Sequence, residues 1–526
     1  MSKSFRGWTL DAMIRRNGQR FPHKPAVIDG AAGLSWAQLD ARVDRVANAL
    51  AAAGLMRGDR VALLLPNCRE FLELYYGVAR AGLIAVPVNY RLTPDETAAI
   101  LASAGPALLV VGSPYVATAR ALDGRLPDLR RRWVVGDGDM AGAVAYEDAL
   151  AAASARPVAA QGGEDDPFAV FFTSGTTGLP KGAVVSHRNL EANAFNQCLA
   201  DASRADDVNL IATPLYHMGA VFMATTYVML GCTQVVLPHF EAGAWLAAVA
   251  RHRASVSLLV PTMVNTVLNH PALETADLSA LRLIFYGGGP MPPAVLQRAL
   301  LRLPCGFTQG YGLTETLEAT FLVAADHLAG GDERRRRRLA SAGREAAGAE
   351  IRIVDDAGHD LGADQIGEVL VRGHSVISGY WNNPEETAAV LRDGWFHTGD
   401  LGYLDEDRYL FVVDRKKDMV VSGGVNIYTK EIESVLYTHP AVREAAVIGM
   451  PDDAWGEAVT AVVAFLPGRG ATAEELIEHC RAHLASYKKP RAVHVVEDLP
   501  KNPSGKILKR ELRGLLRDAR QGQSPG

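Results

Sequence analysis

Thr173-Ser174-Gly175-Thr176-Thr177-Gly178-Leu179-Pro180-Lys181-Gly182 follows directly on the apolar run Phe168-Ala169-Val170-Phe171-Phe172. A strand that opens into glycines, hydroxyls and one lysine has the make-up of a polyphosphate clamp. Glycines let the backbone approach an anion and turn its N–H groups toward phosphate oxygens. The hydroxyls of Thr173, Ser174, Thr176 and Thr177 donate further hydrogen bonds, Gly175 and Gly178 give the backbone its freedom, and Lys181 adds positive charge. No Gly-Lys-Ser/Thr follows four residues after a glycine, so this is not a Walker A loop and the ordinary P-loop NTPase fold is disfavoured. A segment of this composition alone could be a solvent-exposed turn. The strand before it and its partners downstream favour the clamp.

At 526 residues, 48% hydrophobic and 21% charged, the chain is too long for one core, and two or more domains are expected. A formal net charge of -5 gives no basic footprint for nucleic acid. The five consecutive arginines at 334–338 stand alone and read as a solvated loop. Cys68, Cys198, Cys232, Cys305 and Cys480 are scattered without CxxC spacing, which argues against a disulfide framework or structural zinc and fits a reducing cytoplasm. Residues 1–11 contain no apolar h-region, so no secretory signal is expected. The stretch 211–237 is mostly apolar but carries Pro214 and His217 and lacks flanking basic clusters, which predicts a buried helix and strand, not a transmembrane segment.

Strand-like runs at 60–65, 83–88 and 107–111 alternate with amphipathic helical stretches at 70–81 and 94–103, the rhythm of βαβ units. Residues 254–260, 261–268 and 281–286, before Gly287-Gly288-Gly289, repeat it. The fold class expected is α/β, with a large N-terminal domain of parallel-sheet subdomains over 1–414. Within it, Ile351-Arg352-Ile353-Val354, the turn Asp355-Asp356-Ala357-Gly358 and the run 367–373 predict an antiparallel, β-barrel-like subdomain. After Asp414-Arg415-Lys416-Lys417-Asp418 the pattern becomes strand, Gly-Gly loop, helix (429–437), strands (444–449, 458–465) and helix (472–484), a small α+β domain over 415–526.

Four further segments make the clamp specific. Gln309-Gly310-Tyr311-Gly312-Leu313-Thr314-Glu315 offers an aromatic surface for a base, a hydroxyl for phosphate and a carboxylate able to hold Mg2+. Thr398-Gly399-Asp400 presents an acid suited to ribose hydroxyls, Arg415 can contact ribose or phosphate, and Pro503-Ser504-Gly505-Lys506 puts a lysine on a C-terminal turn. Singly, these could be a core aromatic, a turn and a solvated charge.

Together and in this order they closely resemble the adenylate-forming superfamily of acyl-CoA synthetases, acyl and aryl-acid ligases, luciferases and peptide-synthetase adenylation domains. The resemblance runs nearly the whole chain, from Leu34-Ser35-Trp36-Ala37-Gln38-Leu39 through Gly379-Tyr380-Trp381, Gly394-Trp395-Phe396-His397-Thr398-Gly399-Asp400 and Asp414-Arg415 to Asn502-Pro503-Ser504-Gly505-Lys506-Ile507. It implies an adenylation domain, a mobile C-terminal domain, and two half-reactions using ATP and CoA: a carboxylate and ATP give acyl-AMP and pyrophosphate, then a thiol displaces AMP. By the same resemblance Mg2+ sits between the phosphates, Thr176 and Glu315; Thr314 is a phosphate ligand; Asp400 and Arg415 hold the ribose. Lys506 is the candidate cation at the α-phosphate. Lys417 occupies the hinge position, and Gly423-Gly424, in Ser422-Gly423-Gly424-Val425-Asn426, would let pantetheine pass close to the backbone. Many relatives carry a proline after Asn-Val/Ile-Tyr; here Thr429 stands there and is expected to cap the following helix.

His217 matches the family histidine beside the carboxylate pocket, though it could equally be a core histidine. The wall implied comprises Met218, Gly219, Val221, Tyr286, Gly287, Gly288, Gly310 and the residues after Glu315, apolar with small residues at several places. A medium or long acyl chain or an aryl ring would fit. An aromatic gate that long-chain relatives can carry is absent at Val221. Glu318 is an unusual charge here and is expected to face solvent; the sharper alternative is that it pairs with a polar or cationic group on the substrate. The leading reading is an AMP-forming acid:CoA ligase. Its rivals are a stand-alone adenylation enzyme loading a carrier protein, and a catalytically silent nucleotide- or acyl-binding regulator. A homodimer is an expectation at the family level.

Overall fold

The alternating strands and helices form two largely parallel sheets, each finished at an edge by antiparallel strands. The structure, a computed structural model, describes residues 8–173, 180–289, 291–327, 333–452, 455–501 and 507–521. The chain divides into two compact units, Met1–Ile351 with Val371–Phe396, and Arg352–Leu370 with His397–Gly526.

In the first unit, one sheet has seven strands in the order Val144–Ala145, Arg131–Val135, Leu108–Gly112, Arg60–Leu64, Ile84–Pro87, Pro167–Thr173 and Lys181–Ser186. Its central strands are apolar almost without interruption because helices cover both faces of a parallel sheet. The last pair is antiparallel and sets Thr173 opposite Lys181, so the two ends of the Gly/Ser/Thr stretch are held in register. The second sheet has nine strands, with Leu317–Leu322, Gly306–Leu313, Leu283–Tyr286, Val256–Leu258 and Val208–Ile211 adjacent in that order. The main core draws apolar side chains from both sheets, from Val61 and Leu63 to Val256 and Phe285. The apolar stretch 211–237 resolves into a strand end, the buried helix Met218–Met229 and the strand Thr233–Val236. Among the described residues no helix is long and apolar enough to cross a membrane.

A five-stranded sheet that includes Ala349–Val354, Gly367–Gly373 and Trp395–Leu404 occupies the region expected to be antiparallel. The end of Trp395–Leu404 pairs antiparallel with Leu410–Arg415 in the second unit. Farther on, Val425–Ile427, Val420–Ser422, Gly456–Phe465 and Val442–Asp452 form a sheet, with Ala492–Val495 alongside Gly456–Phe465, packed with the helices Thr429–Leu436 and Ala473–His483.

Two local expectations are corrected. The arginine run is an exposed helix, Glu333–Arg338, not a loop. Arginine is a good helix former, and Glu333 at the N-terminus complements the helix dipole. Thr429 is not the helix cap but the first helical residue; the cap position is Tyr428, without a side-chain bond. The buried Asp414 carboxylate accepts from the Thr429 N–H and, at 2.8 Å, from its hydroxyl, so a residue fifteen positions upstream caps the helix.

Candidate active site

Glu315 lies in the turn between Gly306–Leu313 and Leu317–Leu322. The turn is fixed by Thr316 Oγ1, which accepts from the Leu313 N–H at 2.9 Å. The Glu315 carboxylate accepts two hydrogen bonds on Oε1, one of 2.9 Å from the Tyr380 phenol and a longer one of 3.4 Å from Thr173 Oγ1. Burial, then the Glu315 charge, push the Tyr380 phenol far above its usual range, so it remains a donor. The segment 379–381 lies along the Lys181–Ser186 strand, with Trp381 N–H on the Gly182 carbonyl at 2.7 Å and Val184 N–H on the Gly379 carbonyl at 3.0 Å. Gly182 is required there, since a Cβ would stand 2.7 Å from Val170 Cγ1. Lys181 is ion-paired with Glu386, and its ammonium lies 5.5 Å from the centre of the Tyr380 ring. Thr173, Lys181 and Glu315 are thus brought together, and Thr314 is adjacent to Glu315 in the same turn. Ser174, Gly175, Thr176, Thr177, Gly178 and Lys506 lie outside the described residues.

Gly287, just past the strand Leu283–Tyr286, meets Gly310 inside the strand Gly306–Leu313, where a Cβ on Gly287 would come 2.9 Å from the Gly310 carbonyl oxygen. A Cβ on Gly310 would stand 2.4 Å from both Glu318 Oε2 and Phe285 Cζ. Gly288 takes φ +77°, a left-handed turn that favours glycine. Gln309 and Tyr311 flank Gly310 and are half-buried. The Tyr286 side chain is buried in a separate core cluster, its hydroxyl 3.1 Å from Gln309 Oε1 and 2.9 Å from His327 Nε2. His217 stands at the N-cap position of the Met218–Met229 helix, its ring centre 4.4 Å from that of Tyr216. Its Nε2 is shut off from solvent without a partner among the described residues. Burial, with a smaller contribution from Arg91, lowers its pKa to about 4, so the imidazole is neutral near pH 7. Met218 and Val221 are buried, and Gly219 approaches Leu258.

Glu318 does not face solvent. Only 8% exposed, it has its N–H bound to Asn193 Oδ1 at 2.9 Å, and its Oε2 has no hydrogen-bond partner among the described residues. Burial, and secondarily the charge of Asp201, push its pKa up to about 8. The sequence reading misses this because an isolated charge ordinarily points outward. Here the missing side chain of Gly310 opens the space that the carboxylate fills.

In the second unit, strand register sets Asp400 opposite Arg415, and Arg415 Nε lies 3.1 Å from Asp400 Oδ1. Thr398 Oγ1 accepts from the Asp400 N–H at 3.0 Å while donating to the Val369 carbonyl at 2.7 Å, which fixes the Thr398-Gly399-Asp400 turn. Lys417 lies in the turn after Arg415. Gly423 and Gly424, at φ +58° and +77°, form the two-residue link between Ser422 and Val425, the geometry of a tight hairpin. Gly423 also donates its N–H to the Trp455 carbonyl at 2.8 Å. Sequence reasoning gave no role to Tyr380, Glu386, Asn193 or Trp455; Tyr380 stood within a quoted motif, and the others carried no local signal.

The Glu315 carboxylate, steadied beside Thr173 at one described end of the Gly/Ser/Thr stretch, thus sits on a largely parallel scaffold of the mixed α/β class. A family model described as AMP-binding enzyme matches residues 14–381, and one described as AMP-binding enzyme C-terminal domain matches 431–506. The chain belongs to the AMP-binding enzyme family. It is 39% identical over 500 residues to a feruloyl-CoA synthase of an Amycolatopsis species, covering 95% of this chain and 97% of that one. It is 36% identical over 517 residues to the fatty acid–[acyl-carrier-protein] ligase ScoC of Streptomyces coeruleorubidus, covering 96% of each. Among solved structures it resembles ATP-bound MatB from Rhodopseudomonas palustris, with a TM-score of 0.86, 33% identity, and coverage of 97% of this chain and 100% of that one.

Proposed function

We infer that the chain is an AMP-forming acid:CoA ligase, an acid-thiol ligase that activates a medium- or long-chain fatty or aryl acid with ATP and transfers the acyl group to CoA. The observation that carries this reading is the likeness to a feruloyl-CoA synthase over 95% of the chain. In the first half-reaction a carboxylate oxygen attacks the α-phosphorus and the bond to pyrophosphate breaks. In the second, a thiolate attacks the acyl carbon and AMP leaves.

The residue roles follow the chemistry of each position. Glu315 fits a hard divalent cation: Oε1 is steadied by Tyr380 and Thr173, and a carboxylate is a preferred ligand for Mg2+. Glu315 with Thr176 would hold Mg2+, which when bound neutralises charge on the triphosphate. Thr173, Ser174, Gly175, Thr177, Gly178, Lys181 and Thr314 bind phosphate oxygens, and Gln309, Gly310 and Tyr311 face the base. Asp400 accepts from ribose hydroxyls, with Arg415 supporting it. Lys506 stabilises the negative charge that builds at the α-phosphate. A neutral His217 orients the acid by hydrogen bonding without adding charge. Met218, Gly219, Val221, Gly287, Gly288 and Gly310 shape the acid's wall, with the backbone of Tyr286.

Lys417 is the hinge, and Gly423-Gly424 passes the pantetheine arm; the domains are 1–414 and 415–526. The five unpaired cysteines fit a cytoplasmic enzyme. A homodimer is testable by light scattering. A second reading, transfer to a carrier-protein thiol, has behind it the 36% identity to ScoC. Carboxylate-dependent pyrophosphate and AMP release with ATP and Mg2+, with and without CoA, across short, medium, long and aromatic acids, is the test. CoA-dependent AMP formation is expected; pyrophosphate release indifferent to CoA would move the acceptor to a carrier protein.

A further inference from the structure

We propose that Glu318, with Asn193, selects the acid, favouring one that carries a neutral hydroxyl on its acyl or aryl portion over its unsubstituted counterpart. This rests on the ligase reading, which makes Gly310 part of the acid's wall. Glu318 is the only charged residue in the strand Leu317–Leu322. Its Oε2 occupies the space left open by Gly310, 2.4 Å from where a Cβ would stand, with Phe285 Cζ at the same distance from that point. Phe285 in turn meets Phe222 at 5.7 Å and Phe321 at 6.3 Å between ring centres. One carboxyl oxygen is therefore set among buried aromatic side chains beside the Gly287–Gly310 contact.

A carboxyl kept there only for packing would be paired, yet among the described residues no lysine or arginine forms a salt bridge with Glu318 and Oε2 has no hydrogen-bond partner. Asn193 repeats the pattern. Its Oδ1 takes the Glu318 N–H at 2.9 Å, whereas its own Nδ2 is buried without a partner. The two residues offer an unmet carboxyl oxygen and an unmet N–H donor. A hydroxyl, which both donates and accepts, can satisfy either group; a methylene satisfies neither, and an ammonium has nothing to offer the amide donor. Burial favours the neutral form of the Glu318 carboxyl, which again suits an uncharged partner.

Acid pairs differing by one hydroxyl test this: 4-hydroxycinnamic against cinnamic acid, and ω-hydroxylated against unsubstituted medium-chain acids. The readout is the ratio of kcat/KM for acid-dependent pyrophosphate release in wild type, Glu318→Gln and Glu318→Leu, with a thermal melt confirming that each folds. Sites built to bind a substrate hydroxyl reject the analogue lacking it by up to about 10⁵-fold. We expect a wild-type ratio of at least roughly tenfold in one pair. It should fall to about one in Glu318→Leu, with turnover of the unsubstituted acid retained. A ratio unchanged in both variants, or a preference for an amino-substituted acid, overturns the proposal. Should wild type turn over no acid with ATP, Mg2+ and CoA, the ligase reading fails, and calorimetry on the same pairs decides this inference. Tighter binding of the hydroxylated acid that disappears in Glu318→Leu sustains it; equal binding overturns it.

Discussion

Tyr380 donates its phenolic O–H to Glu315 Oε1 at 2.9 Å, tying a carboxylate in the turn after Gly306–Leu313 to a tyrosine sixty-five residues later in the chain. Hydrogen bonds to charged groups contribute about 1.5–3 kcal/mol, and this one is shorter than the 3.4 Å bond from Thr173 to the same oxygen. Tyr380→Phe is therefore expected to lower kcat/KM for acyl-adenylate formation by roughly tenfold or more and to raise the Mg2+ concentration needed for half-maximal rate. Thr173→Val should lower it less through this contact. An unaltered Mg2+ dependence in Tyr380→Phe would dissociate this hydrogen bond from the metal site.

Asp400 is buried opposite Arg415, and its backbone N–H is pinned by Thr398. Asp400→Asn keeps the shape but exchanges an acceptor for a donor toward the ribose. The expected result is a KM for ATP raised about tenfold, with the KM for the acid little changed. Equal rises in both would argue for a structural effect. Initial-rate kinetics with each substrate varied separates the two.

Gly423 has φ +58°, and a Cβ there would lie 2.7 Å from the Trp455 ring. Gly423→Ala thus carries backbone strain of about 1–2 kcal/mol plus a clash. Acyl-AMP formation should persist while the thiol-dependent step slows. The double variant with Trp455→Ala should recover part of that loss by removing the clash. No recovery would mean that the left-handed conformation, not the ring, is the constraint.

Features carried by local pattern were legible in the chain: the βαβ alternation, the Gly-Gly loop at 423–424, and the motifs whose Thr173, Lys181 and Glu315 the fold brings together. What supports them was not, because partners meet only in the fold. Lys181 finds Glu386 205 residues away, and Thr429 finds its cap in Asp414 fifteen residues away. Glu318 was expected at the surface because charge usually marks solvent. A register shift between Tyr311 and Gly312, and the open space at Gly310, turn it inward instead.

Asp201 is buried, accepts from Gln197 at 3.1 Å, and has its pKa raised to about 7, chiefly by burial. Arg282 lowers it and Asp207 raises it by their charges. A carboxyl whose folded pKa lies above its unfolded value near 4 favours the folded state most below pH 4 and loses that contribution as pH rises toward 7. The slope is about 1.4 kcal/mol per pH unit for one such group. Asp201→Asn should therefore raise the denaturant midpoint of the first unit more at pH 8 than at pH 5. Parallel shifts at both pH values would remove Asp201 as the source.

Lys506 follows Pro503-Ser504-Gly505, and the role proposed for it belongs to the first half-reaction alone. Deleting one preorganised charge donor typically costs 10²- to 10³-fold, so Lys506→Ala should slow carboxylate-dependent pyrophosphate release by about that factor or more. The same variant supplied with preformed acyl-adenylate and CoA should make thioester at close to the wild-type rate, since the thiol attacks the acyl carbon and AMP is already the leaving group. A comparable loss in both assays would place Lys506 in a role common to the two steps. Acetylation of this lysine removes the same charge and should reproduce the variant. An unchanged adenylation rate after complete acetylation would show that the charge of Lys506 is not what the first step uses.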